Sequence, residues 1–236
     1  AKPKTMTVNS NNKDTVPSWL SSIRYLPEWQ QFDYFRQVRK VFGMVKLIDD
    51  KLGDFLDLLE EKELYNNTIV VFTSDHGNLL GEHASNFKGL PYKTSASVPF
   101  IIRYPNVVPD NQVIHAVANS VDFAPSLLGM MGLTPKNVDF HGKNLAKEWM
   151  GVNKPYEWRF SYYRHMFHDN YAGVWTALVN KRYKLVLSKF DEPWFFDTKR
   201  DPNELRNIAN KKSKRTYKKM KLILCCKMYK NNDPLF

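Results

Sequence analysis

Asp75 and His76 stand side by side in the stretch Thr68 to Lys88, TIVVFTSDHGNLLGEHASNFK, whose residue types could do chemistry. A carboxylate oxygen is a natural ligand for a hard divalent cation, and an adjacent imidazole can complete such a site or hydrogen-bond a bound anion. Gly77 permits close backbone approach, Gly81-Glu82-His83 returns a second imidazole, and Lys88 supplies a cation after a loop with few apolar anchors. An acid, two imidazoles and a lysine within fourteen residues suit an anion held over a metal. Taken singly, each member also fits a plainer role. Asp-His-Gly at a strand end can make a turn in which the aspartate satisfies local amides, His83 can be a structural loop histidine, and Lys88 can be solvated.

The elements that must position these residues follow from patterning. The apolar and β-branched run Ile69 to Thr73 predicts a short buried strand that stops just before Ser74-Asp75-His76-Gly77. In α/β proteins ligands bind outside the carboxyl ends of the strands, so the pair falls where a site belongs. Upstream, apolar residues at Val38, Phe42, Val45, Leu52, Phe55, Leu56 and Leu59 recur at helical spacing and predict one long helix over Asp33 to Glu63. Asp49 and Asp50 lie within it and point about 100° apart, which suits one solvated or salt-bridged acid and one helix-face contact better than a metal pair. Tyr65-Asn66-Asn67 is a turn, and Asn66-Asn67-Thr68 fits the short N-glycosylation acceptor pattern.

Val98 to Tyr104 predicts a second strand with Pro99 near its start, Pro105 to Gln112 a loop, and Val121 to Gly132 a short helix. Beyond about Val152 the pattern changes. The segments Arg159 to Met166, Gly173 to Val179, Tyr183 to Leu187 and Trp194 to Phe196 predict a small antiparallel sheet, and Lys211 to Lys230 reads as a solvated, Lys-rich helix. Residues 1 to about 30 read as an irregular lead-in.

Composition bounds the rest. With 236 residues and 43% apolar content the chain can bury a core. It has no apolar run of transmembrane length, and no apolar signal region is visible in AKPKTMTVNSNNKDT. A formal charge of +11 favours anionic partners, but no RNP, KH, zinc-finger or helix-turn-helix signature points to nucleic acid. Cysteine is limited to the adjacent pair Cys225-Cys226, which neither bridges readily nor makes a structural zinc site unaided.

An ordered series of segments carries a family resemblance: Phe42-Gly43-Met44-Val45 with Asp49-Asp50, TIVVFTSDHGNLLGEH, Lys88-Gly89-Leu90-Pro91-Tyr92, Val98 to Pro105, and Val121-Asp122-Phe123-Ala124-Pro125. His141-Gly142-Lys143-Asn144-Leu145 and Phe195-Phe196-Asp197 with Asp201-Pro202-Asn203-Glu204-Leu205 extend it towards the end. Together they resemble the C-terminal part of a formylglycine-dependent (type I) sulfatase of the alkaline phosphatase superfamily. The resemblance implies an α/β fold: part of an alkaline-phosphatase-like α/β/α sandwich over residues 1–150, and a small antiparallel-sheet subdomain with a basic tail over residues 151–236.

For the site, the resemblance implies that Asp75 and His76 ligate a calcium ion and that Lys88 contacts the sulfate and assists catalysis; the residue pattern, not the resemblance, adds His83 as a second substrate contact. The resemblance also implies sulfate esters, those of glycans included, as substrates, and a secreted or lysosomal location. A phosphodiesterase or phosphonate hydrolase of the same superfamily, or an inactive module binding sulfated polymers, are the alternative readings. The family nucleophile, a formylglycine made within Cys/Ser-x-Pro-x-Arg, has no counterpart in this sequence, nor has the N-terminal acid pair that completes the calcium site. The chain alone is therefore expected to be inactive and to carry half of an active site. Lys93 and Ser97 stand where the family commonly has an acid and an arginine; losing both members of an opposite-charge pair leaves neither unpaired.

Overall fold

In a computed structural model of the protein, residues 28–85, 88–165, 174–189, 191–209, 214–233 and 235 are described. The lead-in expected before the first helix lies outside them. The chain divides into two compact units, one ending at Val108 and the other running from Pro109. The change of pattern near Val152 falls inside the second.

The first unit opens on α1 (Glu28–Glu61), the long helix that the spacing predicts, begun five residues earlier. Among its apolar residues Leu59 is buried, but Phe42, Val45 and Phe55 are 69%, 54% and 44% exposed, so the helix turns much of its hydrophobic stripe outward. Asp49 and Asp50 are both exposed, and Asp50 pairs with Lys46 one turn earlier. A short 3-10 turn at Tyr65–Asn67 leads into β1 (Val70–Thr73). After a long loop and the single-turn helix α2 (Lys93–Ala96) the chain returns as β2 (Phe100–Arg103). The two strands pair antiparallel, Val70 opposite Arg103 and Thr73 opposite Phe100. The carboxyl end of β1 therefore lies beside the start of β2, and the loop closing this hairpin carries Asp75, His76, Gly77, His83 and Lys88. Arg103 fixes the other end: its guanidinium stacks 3.3 Å from the Tyr65 ring centroid and donates to the Tyr65 carbonyl at 2.9 Å.

The second unit begins with α3 (Phe123–Met130), entered through a 3-10 turn at Ser120–Asp122. Asn119 and Asp122 form a reciprocal capping box. The same Asp122 accepts from the Lys143 amide at 2.7 Å, and Ser126 Oγ accepts from Leu145 N at 2.8 Å. These bonds explain why Val121-Asp122-Phe123-Ala124-Pro125 and His141-Gly142-Lys143-Asn144-Leu145 occur together. The second segment is strapped onto the first, and a Cβ at Gly142 would stand 1.8 Å from the Val121 carbonyl oxygen. A one-turn helix, α4 (Ala146–Trp149), follows.

The four predicted strands form one antiparallel sheet in sequence order: β3 (Ser161–His165), β4 (Trp175–Val179), β5 (Tyr183–Ser188) and β6 (Trp194–Asp197). Alternation sorts their side chains onto two faces. In register, Tyr162, Leu178, Leu185 and Phe195 form a row across the sheet, and α5 (Lys214–Lys230) packs Met220, Leu224 and Met228 against its last three members. The expectation of a merely solvated tail helix is thus corrected. Met220, Leu224 and Met228, all 3% exposed or less, recur every four residues and seal the core, while the lysines occupy the remaining faces. Beyond the helix, Asp233 accepts from the Tyr162 hydroxyl at 2.5 Å; burial first, and this carboxylate second, push the Tyr162 phenol up to about 12.

The opposite face of the sheet carries Lys184, 3% exposed, ion-paired with Glu204, 1% exposed, from the Asp201-Pro202-Asn203-Glu204-Leu205 segment. Arg182 grips Asp197 through Nη2 at 2.8 Å, which holds the Asp197 carboxyl below the usual range. The closing family element is thus an electrostatic clasp on the sheet.

Candidate active site

Asp75 and His76 are the second and third residues after β1. The His76 amide donates to Asp75 Oδ1 at 2.9 Å, and this bond is the main reason the Asp75 carboxyl is held below its ordinary value. Asp75 is therefore an anion at any pH near neutrality, and its side chain is 82% exposed. It can present oxygen to a ligand without first losing a proton.

The His76 ring is oriented by its own backbone. Nδ1 lies 2.8 Å from the Gly77 carbonyl oxygen, an acceptor only, so Nδ1 carries the proton and donates. In the neutral ring that leaves a lone pair on Nε2. Two groups converge there: Lys88 Nζ at 2.8 Å and Asp75 Oδ2 at 3.3 Å. An ammonium thus sits against an imidazole nitrogen that also has a carboxylate oxygen beside it, so a cation is already held next to the two donor types that a metal ion would use. Three of the four residues singled out from the sequence are brought together.

This donor set fits a hard divalent ion in kind, carboxylate oxygen plus imidazole nitrogen with its other N–H fixed by a carbonyl. It does not fit in number. Calcium takes six to eight ligands as a rule, and among the described residues no group of three or more His, Cys, Asp or Glu side chains is placed to hold a metal. Asp75 and His76 are one side of a site.

His83 is placed differently. It is 2% exposed, its ring stacked on Tyr92 with centroids 3.5 Å apart and planes 9° from parallel. Its backbone is left-handed at φ 50, as is Leu80 at φ 44, so the loop holds two non-glycine residues in a sparsely populated region. The loop is also better anchored than expected: Leu79, Leu90 and Tyr92 are each 1% exposed. These anchors were readable as the apolar residues of the segment, but no period marks them because the backbone between them is irregular.

Gly77 performs the close approach expected of it. Its amide donates to the Ser95 carbonyl at 2.9 Å, and a Cβ there would lie 2.0 Å from the Thr94 carbonyl oxygen. α2 is thereby docked on the backbone next to His76. The two departures from the family pattern, Lys93 and Ser97, flank this docked turn and are both exposed, so neither position buries a charge.

Comparison with known proteins identifies the family of the chain. The profile of the Sulfatase family matches residues 3–133, and that of the N-sulphoglucosamine sulphohydrolase C-terminal region matches residues 81–230. The chain is 32% identical over 210 residues to an N-acetylglucosamine-6-O-sulfatase of Bacteroides thetaiotaomicron, covering 85% of this chain and 38% of that protein. The structure of BT4656 in complex with its substrate D-glucosamine-2-N,6-O-disulfate superposes with a TM-score of 0.79 at 30% identity, over 86% of this chain and 43% of that one. A phosphonate monoester hydrolase of Agrobacterium radiobacter superposes with a TM-score of 0.67 at 25% identity, over 83% and 41%. The chain spans less than half the length of these relatives, and two independent profiles meet on the loop that carries Lys88. It belongs to the sulfatase family of the alkaline phosphatase superfamily, and it corresponds to the C-terminal portion of that fold.

Proposed function

We propose that this chain supplies the cation- and sulfate-holding wall of a sulfuric ester hydrolase acting on sulfate esters, glycan sulfates among them. The observation that carries the reading is the convergence of Asp75 Oδ2 and Lys88 Nζ on His76 Nε2, at 3.3 and 2.8 Å. Asp75 and His76 would hold a calcium ion, which when bound neutralises charge on a sulfate oxygen. The carboxylate is ionised in advance, and the imidazole lone pair is aimed by the Nδ1–H bond to Gly77. Lys88 is exposed and sits on a flexible stem. Its ammonium would bind the sulfate anion and stabilise charge developing on the leaving oxygen. His83, buried and stacked on Tyr92, would steady the loop from within rather than reach the substrate.

The nucleophile, a formylglycine, and the remaining calcium ligands would come from sequence outside these 236 residues. The outward-facing apolar residues of α1 and β2 support this, since Phe42 at 69% and Ile101 at 61% exposed are costly in water and fit a covered face. A secreted or lysosomal location accords with the family; no helix among the described residues is long and apolar enough to cross a membrane. The complete protein is expected to hydrolyse an aryl sulfate, and this chain assayed alone is expected not to. Metal-dependent turnover by the 236-residue chain alone would overturn the reading. The likeness to a phosphonate monoester hydrolase favours one competing substrate class, and an aryl phosphonate assayed in parallel decides between them.

A further inference from the structure

α5 carries Lys214, Arg215, Lys218, Lys219, Lys221, Lys227 and Lys230 and no acidic residue. Its buried stripe is already assigned to Met220, Leu224 and Met228. Steps of three and four residues align Arg215, Lys218, Lys219, Leu222, Tyr229 and Lys230 on the opposite, exposed side. From Arg215 to Lys230 that stripe is about 22 Å long.

This arrangement works against the helix itself. Arg215 faces Lys218 and Lys219 at like-charge helical spacing, and the cations of the first turn stand at the positive end of the helix dipole. Among the described residues none of Arg215, Lys218, Lys219, Lys221 or Lys230 has an ion-pair partner. Among the described residues these charges are therefore uncompensated, and a polyanion laid along the stripe would compensate them. We propose that the outward face of α5 is a binding site for a sulfated polysaccharide, a second contact by which the protein holds a polymeric substrate; the choice of a sulfated glycan rests on the function proposed above. The chemistry argues against the other polyanions. A membrane surface calls for an apolar face to insert, and here the apolar side is buried against the sheet, leaving Leu222 and Tyr229 as the large apolar groups outside. Single-stranded nucleic acid calls for successive stacking platforms, and the stripe has one aromatic ring, Tyr229.

The test is binding of the 236-residue chain to heparin, to anionic phosphatidylserine vesicles and to a single-stranded DNA oligomer, across a range of salt. The variant carries Arg215→Gln, Lys218→Gln, Lys219→Gln and Lys230→Gln, all to a good helix former, and its helical content and melting temperature are checked to be those of the parent. Heparin affinity is expected to fall more than tenfold, and the slope of log affinity against log salt to drop by about three, from four lost contacts. A control removing four other lysines, Lys40, Lys46 and Lys51 of α1 and Lys62 just beyond its end, is expected to keep its affinity. Equal losses in both variants would mean net charge alone, and tighter binding to vesicles or DNA than to heparin would assign another partner; either overturns the proposal. Chain with Asp75→Asn and Lys88→Ala is expected to lose no more than the one contact that Lys88 makes, a drop in salt slope below about one, against about three for the α5 variant. That arm separates this inference from the catalytic one, because it reads the same whether or not the complete protein turns over sulfate esters.

Discussion

Lys88→Ala in the complete protein is expected to lower kcat/KM for a sulfate ester by about a hundred- to a thousandfold, the range seen when one preorganised donor to developing charge is removed. The same variant should bind calcium no more weakly than the parent. Lys88 Nζ sits 2.8 Å from His76 Nε2, the lone pair assigned to the metal, so its removal deletes a competitor and not a ligand. Lys88→Arg keeps the charge but not the compact ammonium, and should recover only part of the loss. Steady-state kinetics with a calcium titration separates the two roles: turnover lost with calcium affinity kept or tightened supports a sulfate contact, whereas turnover and calcium affinity lost together would make Lys88 part of the metal site.

Glu204→Leu is expected to destabilise the second unit by about 3–5 kcal/mol, because it leaves Lys184 buried with its charge unmatched. Pairing it with Lys184→Met should return most of that loss, since replacing both partners of a buried pair by apolar groups of similar volume is nearly neutral. Urea unfolding followed by tryptophan fluorescence reads both, with Trp175 and Trp194 in the sheet as reporters. Should Glu204→Leu unfold within about 1 kcal/mol of the parent, the pair is not the clasp described here.

Much of the fold was legible because its signals are local. Val70 to Thr73 and the four strands of the second unit are short β-branched or aromatic runs bounded by turn residues, and the long helix has a sustained period. Asp75, His76 and Lys88 were legible because a carboxylate, an imidazole and an ammonium are rare neighbours in one loop. The antiparallel pairing of Val70 with Arg103 was not, since it depends on a loop of 26 residues folding back on itself. Nor was the depth of Met220, Leu224 and Met228. Their spacing was present, but lysines on three sides of the helix outweighed it in composition, and which side meets a sheet is decided by Leu178, Leu185 and Phe195 elsewhere in the chain. His83 shows a third limit: its buried stack on Tyr92 rests on a left-handed backbone that no residue pattern announces.

The account turns on Asp75 as a cation ligand, and the measurement that tests it most directly is the calcium dependence of aryl sulfate hydrolysis by the complete protein and its Asp75→Asn variant. Asparagine preserves the shape and the hydrogen bond from the His76 amide while removing the charge. The apparent calcium affinity is predicted to fall at least about tenfold, the loss typical even of an outer-shell partner. An unchanged calcium requirement in Asp75→Asn would remove Asp75 from the metal site and contradict the account.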